Sequence, residues 1–229
     1  MKRPKHIGFI LDGNRRFAKS LNQDVWRGHE FGYKKVTELL KWCKEKKIEE
    51  LTLYVFSIQN FNRPKKEFEY LMKLFEKAAS ESLKQKDNKG LKVQFIGRIH
   101  LLPENVQKSI VEMQKRTEKE EEYKLNIAIA YGGREEIEDA VNKIALEVKS
   151  GRLNPEDVNQ DLIDEYVYIK SKPDLIIRTG GEKRTSNFLS WQSPYSEWIF
   201  LDKKWPEFTK QDFEICLEEY SKRDIRKGR

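Results

Sequence analysis

Short apolar runs alternate with longer amphipathic stretches from one end of the chain to the other. The runs His6–Leu11, Leu51–Phe56, Val93–Gly97, Leu125–Ala130, Leu175–Arg178 and Trp198–Leu201 have the length of strands. Between them, Val36, Leu39, Leu40 and Cys43 recur at i, i+3, i+4 and i+7, the spacing of one helix face. Phe68, Leu71, Met72, Phe75 and Ala79 repeat the pattern, as do Ile137, Val141, Ile144, Ala145 and Val148. Phe213, Cys216, Leu217 and Tyr220 mark a last helix. Such alternation predicts an α/β fold, a single parallel sheet of about six strands flanked by helices. Glu112–Lys124 reads as the solvated end of a helix and Lys84–Lys92 as a turn. No repeat or linker divides the chain, so residues 1–229 are expected to form one domain.

Composition narrows the choice of partners. The chain has 229 residues, 36% of them charged, and a net charge of +7, which suits anionic partners: nucleic acid, phosphorylated metabolites or an anionic membrane surface. Cys43 and Cys216 each fall on an apolar helical stripe and read as reduced core residues of a cytoplasmic protein. No run approaches the ~18 apolar residues of a membrane span. The basic start Met1-Lys2-Arg3-Pro4-Lys5 runs into a strand and a charged loop, unlike a signal peptide.

The chemistry lies where strands end. Asp12-Gly13-Asn14-Arg15-Arg16 follows the first run, and Arg178 to Asn187, rich in Arg, Gly and hydroxyl residues, follows another. Ligands of parallel α/β sheets bind outside the carboxyl ends of the strands. Arginine forks match phosphate oxygens, and an aspartate can hold the Mg²⁺ that accompanies them. Two such loops point to two phosphate groups held side by side. A third strand-end loop, Ser57 to Pro64, adds a hydroxyl, Asn60, Phe61 and Arg63, and Glu197 opens the last strand. P-loop and dinucleotide glycine patterns are absent.

These segments closely resemble the cis-prenyltransferases, the undecaprenyl and dehydrodolichyl diphosphate synthases. The resemblance runs through H-I-G-F-I-L-D-G-N-R-R-F-A-K from His6, G-H at 28–29 and L-T-L-Y-V-F-S-I-Q-N-F-N-R-P from Leu51. It continues with N-I-A-I-A-Y-G-G-R from Asn126, D-L-I-I-R-T-G-G-E-K-R-T-S-N-F from Asp174 and S-E-W-I-F from Ser196. It implies a parallel sheet with an apolar tunnel, and a Mg²⁺-dependent homodimer that adds isopentenyl diphosphate to an allylic diphosphate such as geranylgeranyl or farnesyl diphosphate. The product would be a long polyprenyl diphosphate, the precursor of a glycosyl-carrier lipid, released at a membrane surface by a cytoplasmic, peripheral enzyme.

By resemblance, Asp12 organises the metal together with Glu197, and Asn14 and Asn60 join it as catalytic residues. Gly13, Arg15, Arg16, Phe17, Arg27 and His29 fall to substrate binding, Arg16 with Gly13 at the allylic diphosphate. Arg27 is the candidate to replace a family arginine at Val25. Arg178, Arg184 and Ser186 match the isopentenyl diphosphate site. Ser57, Asn60, Phe61 and Arg63 match a loop that closes over substrate, and Arg226-Lys227-Gly228 matches a tail that crosses the dimer interface. The tunnel would be walled by Phe68, Leu71, Met72, Phe75 and Ala79 and by Val55, Ile127 and Ile129, with Tyr123 at its floor. Arg15 in place of Gly resembles archaeal and eukaryotic members. Phe61, Gln59 and Lys183 depart from the frequent Trp, Glu and His.

Other readings stay open at this point. One is a short-chain or atypical prenyltransferase using dimethylallyl diphosphate or a non-diphosphate acceptor. Another is a non-catalytic partner subunit, which loss of the metal-site aspartate would signal. A nucleic-acid binder would need aromatics among basic residues on one exposed surface, and most aromatics here fall at core periodicity, so no nucleic acid is expected. Replacing Asp12 is expected to remove turnover while leaving the fold nearly intact.

Overall fold

The computed structural model describes residues 2–82 and 90–224. Its strands are β1 (His6–Ile10), β2 (Glu50–Ser57), β3 (Leu91–Ile96), β4 (Tyr123–Tyr131), β5 (Leu175–Arg178) and β6 (Glu197–Phe200). Its helices are α1 (Asn14–Ser20), α2 (Gly28–Glu45), α3 (Lys65–Ser82), α4 (Glu104–Thr117), α5 (Gly133–Lys149), α6 (Gln160–Tyr166) and α7 (Lys210–Lys222). The strands form one sheet in the order β3-β4-β2-β1-β5-β6, and every pairing is parallel. The predicted α/β fold is therefore the observed one. The predicted turn at Lys84 and the tail from Arg226 lie outside the described residues.

Alternation along the strands gives each face of the sheet its character. Ile7 and Phe9 of β1, Leu51 and Leu53 of β2, and Leu125 of β4 bury themselves with Leu39 and Cys43 of α2, Ala79 of α3 and Phe213, Cys216 and Tyr220 of α7. Cys43 and Cys216 are free and buried, as core residues. The residues between them point the other way. Ile10, Tyr54, Ala128 and Ile176 pack under Ile169, Phe188 and Leu189. This second face also carries a buried polar line. The His6 Nε2 lies 2.7 Å from the Thr52 hydroxyl oxygen, to which the Asn126 amide donates at 2.9 Å.

Helix α5 departs from its predicted stripe. Val141 is 53% exposed, while Gly133, Glu136, Ala140 and Ile144 are the buried residues. The apolar count missed this face because Glu136 belongs to it. Its carboxylate is satisfied indoors by the Tyr131 hydroxyl, the Gln192 amide at 2.8 Å and the Tyr168 N–H at 2.8 Å. Helices α1 and α6 are only seven residues each, too short to show a period.

Phe9 stands at the centre of the aromatic packing beneath the first strand-end loop. Its ring lies 5.9 Å from Trp205, 5.7 Å from Phe208 and 6.3 Å from Phe213. Phe9→Ala is expected to cost about 3–5 kcal/mol, because three rings fixed on the 205–208 turn and on α7 cannot collapse into the void. Urea unfolding should show the loss as a lower midpoint at unchanged slope.

Candidate active site

Sheet order brings the two anion-binding loops together. β1 lies between β2 and β5, with Ile10 in register with Arg178. Asp12, just past β1, and Arg178, the last residue of β5, therefore meet although they are 166 residues apart. Arg178 Nη2 donates to Asp12 Oδ2 at 3.0 Å, and Arg178 Nη1 donates to the Ser186 hydroxyl at 2.7 Å and to the Arg184 carbonyl. The other Asp12 oxygen accepts from the Gly13 N–H at 2.6 Å and from Arg16 Nη2 at 3.1 Å. The Asp12 backbone carbonyl accepts from the Thr179 hydroxyl and the Trp205 N–H, both at 2.9 Å.

Two glycines make this approach possible. Gly13 has φ of 104°, a left-handed turn that feeds the chain from β1 into α1, and a Cβ there would sit 2.7 Å from Lys204 Cβ. At Gly28 a Cβ would fall 2.0 Å from the Asn14 carbonyl oxygen, so only glycine lets α2 start against α1. Asn14 is held by its amide, which donates to the Leu11 carbonyl at 2.9 Å, while its Oδ1 is buried without a hydrogen-bond partner.

The loop after β2 closes the other side. Asn60 Oδ1 accepts from the Ser57 N–H at 3.0 Å and caps the turn Ile58–Asn62. Phe61 stacks edge-on against Phe56 at 5.1 Å. Arg63 and Arg15 converge with His29 on a carboxylate that sequence reading passed over, Glu67 in the first turn of α3. Its one signal was the i,i+4 spacing from Arg63. Glu67 is 1% exposed. The hydrogen bond from His29 holds the Glu67 carboxyl below the usual carboxylate range, and burial lowers the His29 imidazole in turn.

These residues surround one cavity of about 790 Å³. Asp12, Asn14, His29, Ser57, Asn60, Arg63, Arg178, Arg184 and Ser186 line its polar end. From there it runs between α2, α3 and the apolar face of the sheet, past Leu53, Val55, Leu71, Phe75, Ala79, Ile127 and Ile129, to Tyr123 and Lys124 at the start of β4. Helix α3 thus contributes Leu71, Phe75 and Ala79 to the lining, whereas Met72 is buried in the packing against α4 and Phe68 stacks on Phe61 at 5.7 Å.

Other expected residues stand apart from the cavity lining. Gly13, Arg15, Arg16 and Phe61 border it through the contacts above, and Phe17 packs edge-on against Phe31 at 5.4 Å. Arg27 ends an exposed turn near Tyr70, away from the lining. Glu197 lies apart from Asp12 within one chain. It is in register with Leu175, at the amino end of β5, whereas Phe200 is in register with Arg178. Three residues of strand, about 10 Å, separate it from the level of the site, and its carboxylate accepts from Arg223 Nη1 at 2.6 Å. The chain does not bring Glu197 to Asp12, because a strand-opening residue in a parallel sheet lies at the edge opposite the strand-end loops.

Among the described residues that line the cavity, Asp12 is the only carboxylate. Among the described residues no group of three acidic, His or Cys side chains converges. Mg²⁺ commonly takes one or two carboxylates and completes its shell with water and phosphate oxygens. Asp12, half-open to solvent at a phosphate-binding loop, fits that donor set.

A parallel sheet with arginine loops at its carboxyl edge and a long apolar cavity beneath them fits a ligand with an anionic head and an apolar tail. The sequence matches the Prenyltransf family of undecaprenyl diphosphate synthases over residues 10–228, and the chain belongs to this cis-prenyltransferase family. It is 47% identical over 230 residues to a geranylgeranyl-diphosphate-specific tritrans,polycis-undecaprenyl-diphosphate synthase of Thermococcus kodakarensis, covering 99% of this chain and 87% of the relative. It is likewise 47% identical over 232 residues to the protein of the same name from Methanocaldococcus jannaschii, covering 99% and 83%. The crystal structure of lavandulyl diphosphate synthase from Lavandula x intermedia, in complex with dimethylallyl diphosphate, superposes with a TM-score of 0.93 at 33% identity, covering 99% of each chain.

The Asp12–Arg178 pair revises the expectation that Asp12 is dispensable to the fold. Arg178 is 3% exposed, so losing its carboxylate strands a charge indoors. Asp12→Ala is expected to cost about 1–3 kcal/mol, less than a fully buried pair because Asp12 itself reaches water. Chemical denaturation measures this directly, and a variant as stable as the parent would contradict it.

Proposed function

We propose that this enzyme condenses isopentenyl diphosphate onto an allylic primer, geranylgeranyl or farnesyl diphosphate, and repeats the addition to build a long cis-polyprenyl diphosphate. The observation that carries this reading is the division of the cavity: charged and hydrogen-bonding at the strand ends, apolar along β4 where Leu125, Ile127 and Ile129 line it. A lipid diphosphate has the same two parts. The relatives named geranylgeranyl-diphosphate-specific support the choice of primer.

In this reading the C1–O bond of the primer breaks as the double bond of isopentenyl diphosphate attacks C1. Negative charge gathers on the departing diphosphate, and a proton leaves the newly joined unit. Gly13 and Arg16 hold the allylic diphosphate, with Arg15, Phe17 and His29 beside them. Arg178, Arg184 and Ser186 hold the second diphosphate. Arg178 is already fixed by Asp12 and Ser186, and donors ordered in advance stabilise developing charge without reorganising. Ser57, Asn60, Phe61 and Arg63 cover the reactants, and Asn14 stands beside the reacting carbons. Asp12 would hold Mg²⁺ with diphosphate oxygens and water. That ion, when bound, supplies charge neutralisation to the leaving group.

The product's use as a glycosyl-carrier precursor, a homodimeric state and release at a membrane surface complete the proposal. A long apolar chain has no stable place in water, which favours release into lipid. No helix among the described residues is long and apolar enough to cross a membrane.

Radiolabelled isopentenyl diphosphate offered with dimethylallyl, farnesyl and geranylgeranyl diphosphates should yield a ladder of long products from the longer primers. A single condensation with dimethylallyl diphosphate and nothing longer would overturn the long-chain reading. Asp12→Ala should cut turnover on the order of a hundredfold or more, and retention of Mg²⁺-dependent activity would refute its role.

Chain length should be set where the cavity stops. Tyr123 lines its far end, beneath Lys44, whose Nζ lies 5.5 Å from the ring centroid. Tyr123→Ala is expected to lengthen the product by one or more C5 units, because an opened cavity persists in part. Products must be compared at one ratio of primer to isopentenyl diphosphate. An unchanged distribution from a folded variant would shift the role to Phe75 and Ala79.

A further inference from the structure

Among the described residues, Glu67 is the one buried carboxylate beside the polar end of the cavity, and it stands behind the residues that line it. His29 and Arg63 face the cavity; Glu67 does not. A single oxygen of Glu67, Oε1, lies 3.1 Å from Arg63 Nη1, 3.4 Å from His29 Nε2 and 3.5 Å from Arg15 Nε. Its second oxygen is buried with no hydrogen-bond partner. These contacts join three separate pieces of chain: α1 through Arg15, the start of α2 through His29, and the loop before α3 through Arg63.

A buried charge in this setting is costly to desolvate and does little for the core. Its effect falls on its neighbours. His29 Nε2 is also 3.3 Å from Arg63 Nη1. One ring nitrogen cannot donate to Glu67 and accept from Arg63 at once. The carboxylate favours the Nε2–H form, turns the Arg63 fork toward itself and leaves Nδ1 with its lone pair. With His29 neutral, two guanidiniums face one carboxylate, so the cluster keeps a net positive charge for an incoming anion.

We infer that Glu67 is a positioning residue for the prenyl transfer reaction: through His29, Arg63 and Arg15 it orders the cationic wall that meets a diphosphate group. This role rests on the proposed function, since the anion is taken to be a substrate diphosphate. Glu67 itself touches no substrate. The arginines it holds arrive oriented, so their entropy is lost on folding and not in the transition state.

Glu67→Gln keeps the shape and removes the charge, and a double-mutant cycle with Arg63→Gln tests whether the two act together. We expect Glu67→Gln to lower kcat about tenfold or more, with KM for either diphosphate moving less than about threefold. The double variant should lie within about twofold of Arg63→Gln alone, because a positioning residue has nothing left to position. Losses that multiply would overturn the proposal, as would an unchanged kcat.

A second arm needs no activity. The chain has three histidines, His6, His29 and His100, so nitrogen-detected NMR can follow each. His29 is faced by Glu67 of α3, Arg63 of the preceding loop and Arg15 of α1. Wild-type His29 should be the Nε2–H tautomer, and its titration should move to lower pH in Glu67→Gln, since a stabilising anion is gone. Signals of His6 and His100 at their wild-type positions report that the variant is folded. An Nδ1–H tautomer or an unmoved titration refutes the positioning geometry. Wild-type protein with no transferase activity would instead refute the functional reading and leave this arm to decide the contact.

Discussion

The pairing of Asp12 with Arg178 is the contact on which the site depends. Arg178 is buried at the end of β5, and its charge needs a partner indoors. Asp12 supplies the charge and accepts from Nη2, Ser186 and the Arg184 carbonyl accept from Nη1, and the buried Nε has no hydrogen-bond partner. The loop from Thr179 to Asn187 is thereby wrapped around one side chain. Ser186 and Asn187 accept left-handed backbone angles, φ of 50° and 62°, in that loop. Such conformations cost energy and persist where the surroundings over-determine them. Gly13 allows the turn on the other strand, so the two loops share one centre.

The sheet beneath has two faces with different tasks. One face carries the buried line of His6, Thr52 and Asn126 across β1, β2 and β4. The other, apolar face is filled only in part. On the β1 side Phe9, Phe208 and Phe213 pack together, whereas on the β2–β4 side α2 and α3 stand away from Leu53, Val55 and Ile127. The cavity is the price of that separation, and a bound lipid would recover the lost apolar contacts. Charge is arranged in a complementary way. Among the described residues, Arg15, Arg16, Arg63 and Arg178 form ion pairs only with Asp12 and Glu67, which leaves the mouth positive.

The strand runs and the stripes of α2, α3 and α7 were legible in the chain because one face of each is buried and apolar, which imposes a period. α5 was legible as a helix but not in its orientation, since a carboxylate occupies its inner face. The strand-end loops announced their chemistry through residue type alone: aspartate, arginine, serine and glycine have few reasons to cluster after an apolar run.

Which of those residues meet was a matter of tertiary structure. Sequence determined that Asp12 and Arg178 each end a strand; the strand order, with β1 beside β5, decided that they pair. It determined that Glu197 opens a strand, and the parallel direction of the sheet then carried that carboxylate to the far edge and into the grip of Arg223. Glu67 is one charged residue in a charged stretch, and only the convergence of α1, α2 and α3 buries it among cations. Local pattern records burial and turn chemistry because these act over a few residues. Pairings between distant segments depend on how the layers are assembled, and no local period records that.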